Sequence, residues 1–229
     1  MAHADFSSAS IGLLREDQPD ELFASGGGER GADDGATSRS ALLKRAVAVG
    51  GAAVATGGVV TALPKLASSA AATARDARIL NYVLRLEYLK AAFYEEARAG
   101  VLTGELLQFA DVLAGHERRH VAFLRKRLGK EAEDQPRFDF GDATKNADAF
   151  AATARTLEET AVSAYIGQGA NLTRRNMVGF AQIASVEARH AAWIADVLGR
   201  DPAPLVADKA KTPAQVLAVI EKTGFEAPS

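Results

Sequence analysis

The amino-acid sequence predicts an all-α protein centred on a four-helix bundle with one long crossover, and three observations predict it. Four stretches after residue 75 carry apolar residues at helical spacing, and each runs into glycine. The links between them are short, then long, then short. Finally, the first pair of stretches repeats in the second pair at an offset of 70 or 71 residues, which composition alone has no reason to produce.

The first helix, about 76 to 99, has the stripe Leu80, Val83, Leu84, Glu87, Ala91, Tyr94 and stops at Gly100. The second, about 103 to 128, reads Leu106, Ala110, Leu113, Glu117, His120, Leu124 and stops at Gly129. The third, about 146 to 168, reads Ala151, Ala154, Glu158, Ala161, Tyr165 and ends near Gly167 and Gly169. Glu159 falls off this stripe. The fourth, about 174 to 199, carries Phe180, Ile183, Glu187, His190, Ile194, Val197 and stops at Gly199. Short links at Gly100 to Thr103 and Gly169 to Asn171 make two antiparallel hairpins. Lys130 to Asn146, with Pro136 and Gly141, is far longer. About 17 residues at roughly 3.3 Å each exceed the ~35 Å length of such a helix, so this link can cross the whole bundle. After Asp201-Pro202 a tail, 201–229, holds a short helix from Thr212-Pro213 to about Lys222, expected to pack outside the bundle.

Polar residues inside these stripes carry the chemistry. Glu117-Arg118-Arg119-His120 and Glu187-Ala188-Arg189-His190 are both E-x-x-H. Residues three apart on a helix lie on one face, so each element aims a carboxylate and an imidazole at one point. Glu87 and Glu158 precede them at nearly equal distance, and Tyr94 and Tyr165 each follow their glutamate by seven residues, two turns along one face. Burying four carboxylates uncompensated costs several kcal/mol per ion. Two divalent cations held by Glu87, Glu117, His120, Glu158, Glu187 and His190 would neutralise them, and this oxygen-plus-imidazole set suits two Fe or two Mn ions. Tyr94 and Tyr165 read as core aromatics or as hydrogen-bond donors to a ligand carboxylate. His116, about 100° off the ligand direction, reads as a rim residue. Trp193 reads as packing, and Arg118, Arg119 and Arg189 as ion-pair residues.

Composition narrows the field. A chain of 229 residues, 48% hydrophobic, can bury a substantial core. A net charge of −2 gives no overall basic character for nucleic acid. Without cysteine there is no disulfide, Fe–S cluster or thiolate metal site. Residues 1–45, rich in Gly, Ser, Asp and Ala, read as a disordered arm. Residues 46–74 follow Lys44-Arg45 with an uncharged Ala/Gly/Val/Thr run and small residues such as Ala72-Thr73-Ala74, an export signal with its cleavage region. Residues 46–63 are also long enough to be weighed as a retained membrane anchor, and an Ala/Gly-rich disordered tail is a third reading. Ser38-Arg39-Ser40-Ala41-Leu42-Leu43-Lys44 resembles a twin-arginine signal with Ser40 in place of the second arginine. Residues 75–200 make the bundle.

Taken together, Leu86-Glu87-Tyr88-Leu89 with Phe93-Tyr94, Gly115-His116-Glu117-Arg118-Arg119-His120, Leu157-Glu158-Glu159 with Ala164-Tyr165, and Val186-Glu187-Ala188-Arg189-His190 resemble the ferritin-like superfamily. Within it the chain is similar to exported bacterial ferritin-like proteins related to desiccation-associated proteins. The resemblance implies a dinuclear centre on the six ligands, used by relatives for ferrous oxidation, peroxide reduction or, with manganese, peroxide dismutation. The expected partners are metal ions and O2 or peroxide in the periplasm or cell envelope, with membrane contact only through the export signal or anchor, and a homodimer stays open. A di-iron oxidoreductase, a non-enzymatic envelope protein for stress protection and a dimanganese catalase all satisfy the sequence.

Overall fold

A computed structural model describes residues 63–226, with side chains from residue 73 onward. The predicted arm and the uncharged run of the export signal lie outside the described residues. Among the described residues there are five α-helices and no extended sheet: α1 (Leu63–Arg98), α2 (Gly104–Leu128), α3 (Ala147–Gly169), α4 (Arg174–Val197) and α5 (Pro213–Thr223). The all-α bundle with one long crossover is therefore the fold. The first helix begins at Leu63 rather than near residue 76. Nothing between Pro64 and Gly100 breaks a helix, and the Ala/Ser-rich segment before Arg75 has the propensity to continue one. None of the described helices is long and apolar enough to cross a membrane.

The helices pack as two hairpins, α1 on α2 and α3 on α4, with α1 also meeting α3 and α2 meeting α4. Local chemistry fixes their ends. Asn146 accepts a hydrogen bond from the Ala149 N–H at 2.9 Å and starts α3. Thr212 and Gln215 form a reciprocal cap at α5, with Pro213 in the first turn. The start of α4 is held by α1: the buried Asp76 carboxylate accepts from the Thr173 N–H at 3.1 Å, from the Thr173 hydroxyl and from Asn176 Nδ2 at 2.7 Å. A carboxylate there also offsets the positive end of the helix dipole. One interaction thus joins the two hairpins at one end of the bundle.

The crossover is ordered by α1. Asn81 donates to the Glu131 carbonyl at 2.8 Å and accepts from the Glu133 N–H at 3.0 Å, and the Tyr88 hydroxyl donates to the Glu133 carbonyl. Further along, Phe140 inserts against Phe93 and Phe225, in a cluster that continues through Phe150, Tyr94, Phe109 and Trp193. Trp193 is a packing residue, its ring edge-on to Phe109 at 5.1 Å and its Nε1–H on Glu105. The predicted outer helix α5 lies on α3 with Val216 and Ile220 buried, and an antiparallel bridge joins Phe138 to Glu226.

The segment leading into α5 passes so close to α3 that a Cβ on Gly167 would stand 2.1 Å from the Lys211 carbonyl oxygen. The Lys211 N–H meanwhile donates to the Ser163 carbonyl at 3.1 Å. Because backbone rather than a flexible side chain fills that space, Gly167→Ala is expected to destabilise the fold by about 1–3 kcal/mol. Urea unfolding of the full chain measures it; an unchanged midpoint would mean that the segment yields freely.

Candidate metal centre

All six predicted ligands meet at the middle of the bundle. Glu87, Glu117, Glu158 and Glu187 are fully buried, and His120 and His190 are 5% and 3% exposed. Each arrives from the apolar face of its own helix, at the register that the stripes predict. Glu159, one residue along from Glu158, points outward and pairs with Arg155. Ligand atoms fall into two groups of four, Glu87, Glu117, His120, Glu187 and Glu117, Glu158, Glu187, His190, with the atoms of each group within 4.8 Å of one another. Glu117 and Glu187 belong to both groups. His120 Nδ1 lies 3.1 Å from Glu117 Oε2 and 3.1 Å from Glu187 Oε1, while His190 Nδ1 lies 3.3 Å from Glu117 Oε1 and 3.4 Å from Glu158 Oε2.

The tyrosines cross between hairpins. Tyr94 of α1 donates to Glu158 Oε1 of α3 at 2.6 Å, and Tyr165 of α3 donates to Glu87 Oε1 of α1 at 2.6 Å. Each terminal glutamate therefore has one oxygen held and the other, Oε2, turned inward without a hydrogen bond. Burial first, then the neighbouring carboxylates, pushes both phenols well above their ordinary range, so they stay donors.

His116 is more than a rim residue. Its Nδ1 lies 2.9 Å from His190 Nε2, the ring nitrogen facing away from the carboxylates, and the two rings stack. Burial, with His190 and His120 nearby, lowers His116 to about 4, so it is neutral and accepts the His190 Nε2–H. That bond fixes the ring orientation of His190. A side chain about 100° off one helix's ligand direction still meets the ligand of the helix beside it.

A further residue, Lys90, which no motif in the sequence marks, enters the cluster. It is 1% exposed, and its Nζ lies 3.4 Å from Glu87 Oε2, 3.2 Å from Glu117 Oε2 and 3.6 Å from Glu158 Oε2, with a short contact to Glu187 Oε2. Position 90 is three residues beyond Glu87 and so shares its face. The repeat offers no warning, because the residue 71 positions on is Ala161.

The cluster encloses cations of its own beside the carboxylates. Burial pushes Glu87 up to about 8 against the pull of Lys90, and burial likewise raises Glu158. For Glu117 and Glu187 burial is outweighed: Lys90 and hydrogen bonding lower Glu117, and Lys90 and His120 lower Glu187. Burial opposes charge on both imidazoles too, yet Glu117 raises His120 well above its usual value, and Glu117 with Glu158 raises His190 to about 9. Near pH 7, Lys90, His120 and His190 carry charge beside the ionised Glu117 and Glu187, while Glu87 keeps its proton.

The donors fit two hard or borderline divalent ions. All are oxygen or imidazole nitrogen, two carboxylates are shared between the groups, and Glu87 Oε2, Glu117 Oε1, Glu158 Oε2, Glu187 Oε1 and His190 Nδ1 are buried without a hydrogen bond. The chain belongs to the ferritin-like domain family, whose model matches residues 75–200. No curated protein matches the sequence.

The raised groups set the pH response of the metal-free protein. Glu87 rises from 4.5 to about 8 and His190 from 6.5 to about 9 on folding, so the folded state binds more protons than the unfolded chain between those limits. Their stabilisation is complete below the unfolded values and is lost as pH rises through the folded ones. The thermal midpoint of the chelator-treated chain is expected to fall steadily from pH 7 to pH 9, and differential scanning calorimetry across that range checks it; a flat or rising midpoint contradicts the assignment.

Proposed function

We propose that this ferritin-like chain binds a carboxylate-bridged pair of iron or manganese ions and acts as a di-iron oxidoreductase, oxidising ferrous iron or scavenging peroxide. The observation that carries this reading is the convergence of six side chains from four helices into two ligand groups sharing Glu117 and Glu187. Glu87 and His120 would complete one metal position, and Glu158 and His190 the other. Bound there, the metal pair would supply electrons to O2 or peroxide.

The chain's own part is to hold its ligands in place. Tyr94 and Tyr165 each grip one oxygen of Glu158 and Glu87, leaving the second oxygen to face the centre. His116 accepts the His190 Nε2–H and so directs Nδ1 at the carboxylates. The Phe93, Phe109 and Phe150 rings pack around Tyr94 and Phe180 packs against Tyr165, apolar neighbours for the hydroxyls that hold the buried carboxylates. With no cysteine in the chain, reducing equivalents come from an external donor or from ferrous substrate itself. The uncharged run of residues 46–63 supports export to the periplasm or envelope as part of this reading, with cleavage or retention as an anchor both open.

A second reading is favoured by Lys90. Because a buried ammonium already stands among all four carboxylates, the same bundle suits a non-enzymatic envelope protein for stress or desiccation protection. A dimanganese catalase would use the same six residues and differ in its metal and in rapid O2 release from peroxide.

Metal content separates these. The full chain, purified without chelator and incubated anaerobically with excess ferrous or manganous ion, is expected to carry about two ions by mass spectrometry. Glu117→Ala and Glu187→Ala are expected to lose them, and the ferrous form to develop colour in air. An unloaded wild-type protein would remove the oxidoreductase and catalase readings together.

A further inference from the structure

We propose that Lys90 is the centre's resident counter-ion, holding the metal-free site assembled and competing with metal for it. Three features of the structure support this. First, the ammonium is within ion-pair distance of all four glutamates, so one group straddles both ligand groups instead of blocking one. Second, it faces the inward oxygens Glu87 Oε2 and Glu158 Oε2, the ones that accept no hydrogen bond and that a metal would use. Third, it is fully enclosed, and its equivalent on α3 is the buried Ala161, so the site holds a single lysine among six ligands that are themselves arranged as a two-fold pair of triads.

The physical consequence has two halves. A buried carboxylate cluster stripped of its cation is strongly destabilised, whereas a cluster with matched charge is not. The bundle with Lys90 therefore folds and keeps its six ligands in register without metal. A metal pair and the ammonium cannot share the space between the same oxygens, so loading is an exchange in which the Lys90 side chain leaves the centre. The second half rests on the metal reading above; the first does not.

Lys90→Met keeps the length and removes the charge. In the chelator-treated full chain its thermal midpoint is expected to drop by on the order of 10 °C. Lys90→Arg is expected to keep most of the wild-type midpoint. Removing one carboxylate as well, in Lys90→Met/Glu158→Gln, is expected to recover much of the loss, since one of the four carboxylates that Lys90 faces is then gone. With Mn2+ as the probe, titration calorimetry is expected to show Lys90→Met binding roughly 10-fold or more tightly than wild type, with its midpoint restored on loading.

If Lys90→Met is as stable as wild type without metal, or if adding Glu158→Gln brings no recovery, the counter-ion role is overturned, and the same holds if both variants fail to fold. Equal Mn2+ affinity in wild type and Lys90→Met overturns the competition. Should no variant take up Mn2+ while the midpoints follow the expected order, the metal reading fails and the counter-ion role stands.

Discussion

Four carboxylates in a dry helical core are the constraint that everything else in this bundle answers. Taken alone they would repel one another and resist burial, and the cost of leaving them uncompensated exceeds the margin by which most domains are stable. The helices nevertheless bring all four to full burial. They can do so because the same four helices deliver two imidazoles, two phenols and one ammonium to the same volume. The apolar shell matters in the opposite sense: by excluding water it makes each of those partners indispensable. Packing and electrostatics are not separate contributions here, since the phenylalanines that stabilise the bundle also make the charges expensive.

Much of this was legible in the sequence, because helical spacing is a strong signal and the site is built on helices. The stripes place Glu87, Glu117, Glu158 and Glu187 inward and reject Glu159, and the structure does the same. The tyrosines were legible as pairs at equal distance from their glutamates, but not as a crossed pair. That each donates to the other hairpin's carboxylate depends on how hairpins dock, which no spacing within one helix encodes. The beginning of α1 was misjudged for a local reason: a run of Ala and Ser reads equally well as a processing region or as helix, and in the described residues it is helix.

Lys90 carries no mark in the sequence, and His116 reads there only as a rim residue, for different physical reasons. A lysine in an apolar stripe is ordinarily discounted, because its long side chain can carry the charge out to solvent. Here the four glutamates make the interior the better place for it, a judgement that needs all four in view at once. His116 faces away from the centre on its own helix, and becomes relevant only because α4 sets His190 beside it. Both roles depend on a neighbouring helix. The inward faces of the helices follow from each helix alone, whereas the contacts of Lys90 and His116 arise between helices.

The crossed tyrosine bonds bear on how such a chain can be divided. Neither hairpin can satisfy its own terminal glutamate, because the hydroxyl that does so belongs to the other half. Two copies of one hairpin, docked about a two-fold axis, would rebuild both crossed bonds and both E-x-x-H groups. They would not rebuild the charge. Two copies of the first hairpin would bring two ammonium groups to four carboxylates, and two copies of the second, with Ala161 at that position, would bring none. Joining unlike halves in one polypeptide is what lets a symmetric ligand cage contain an odd cation.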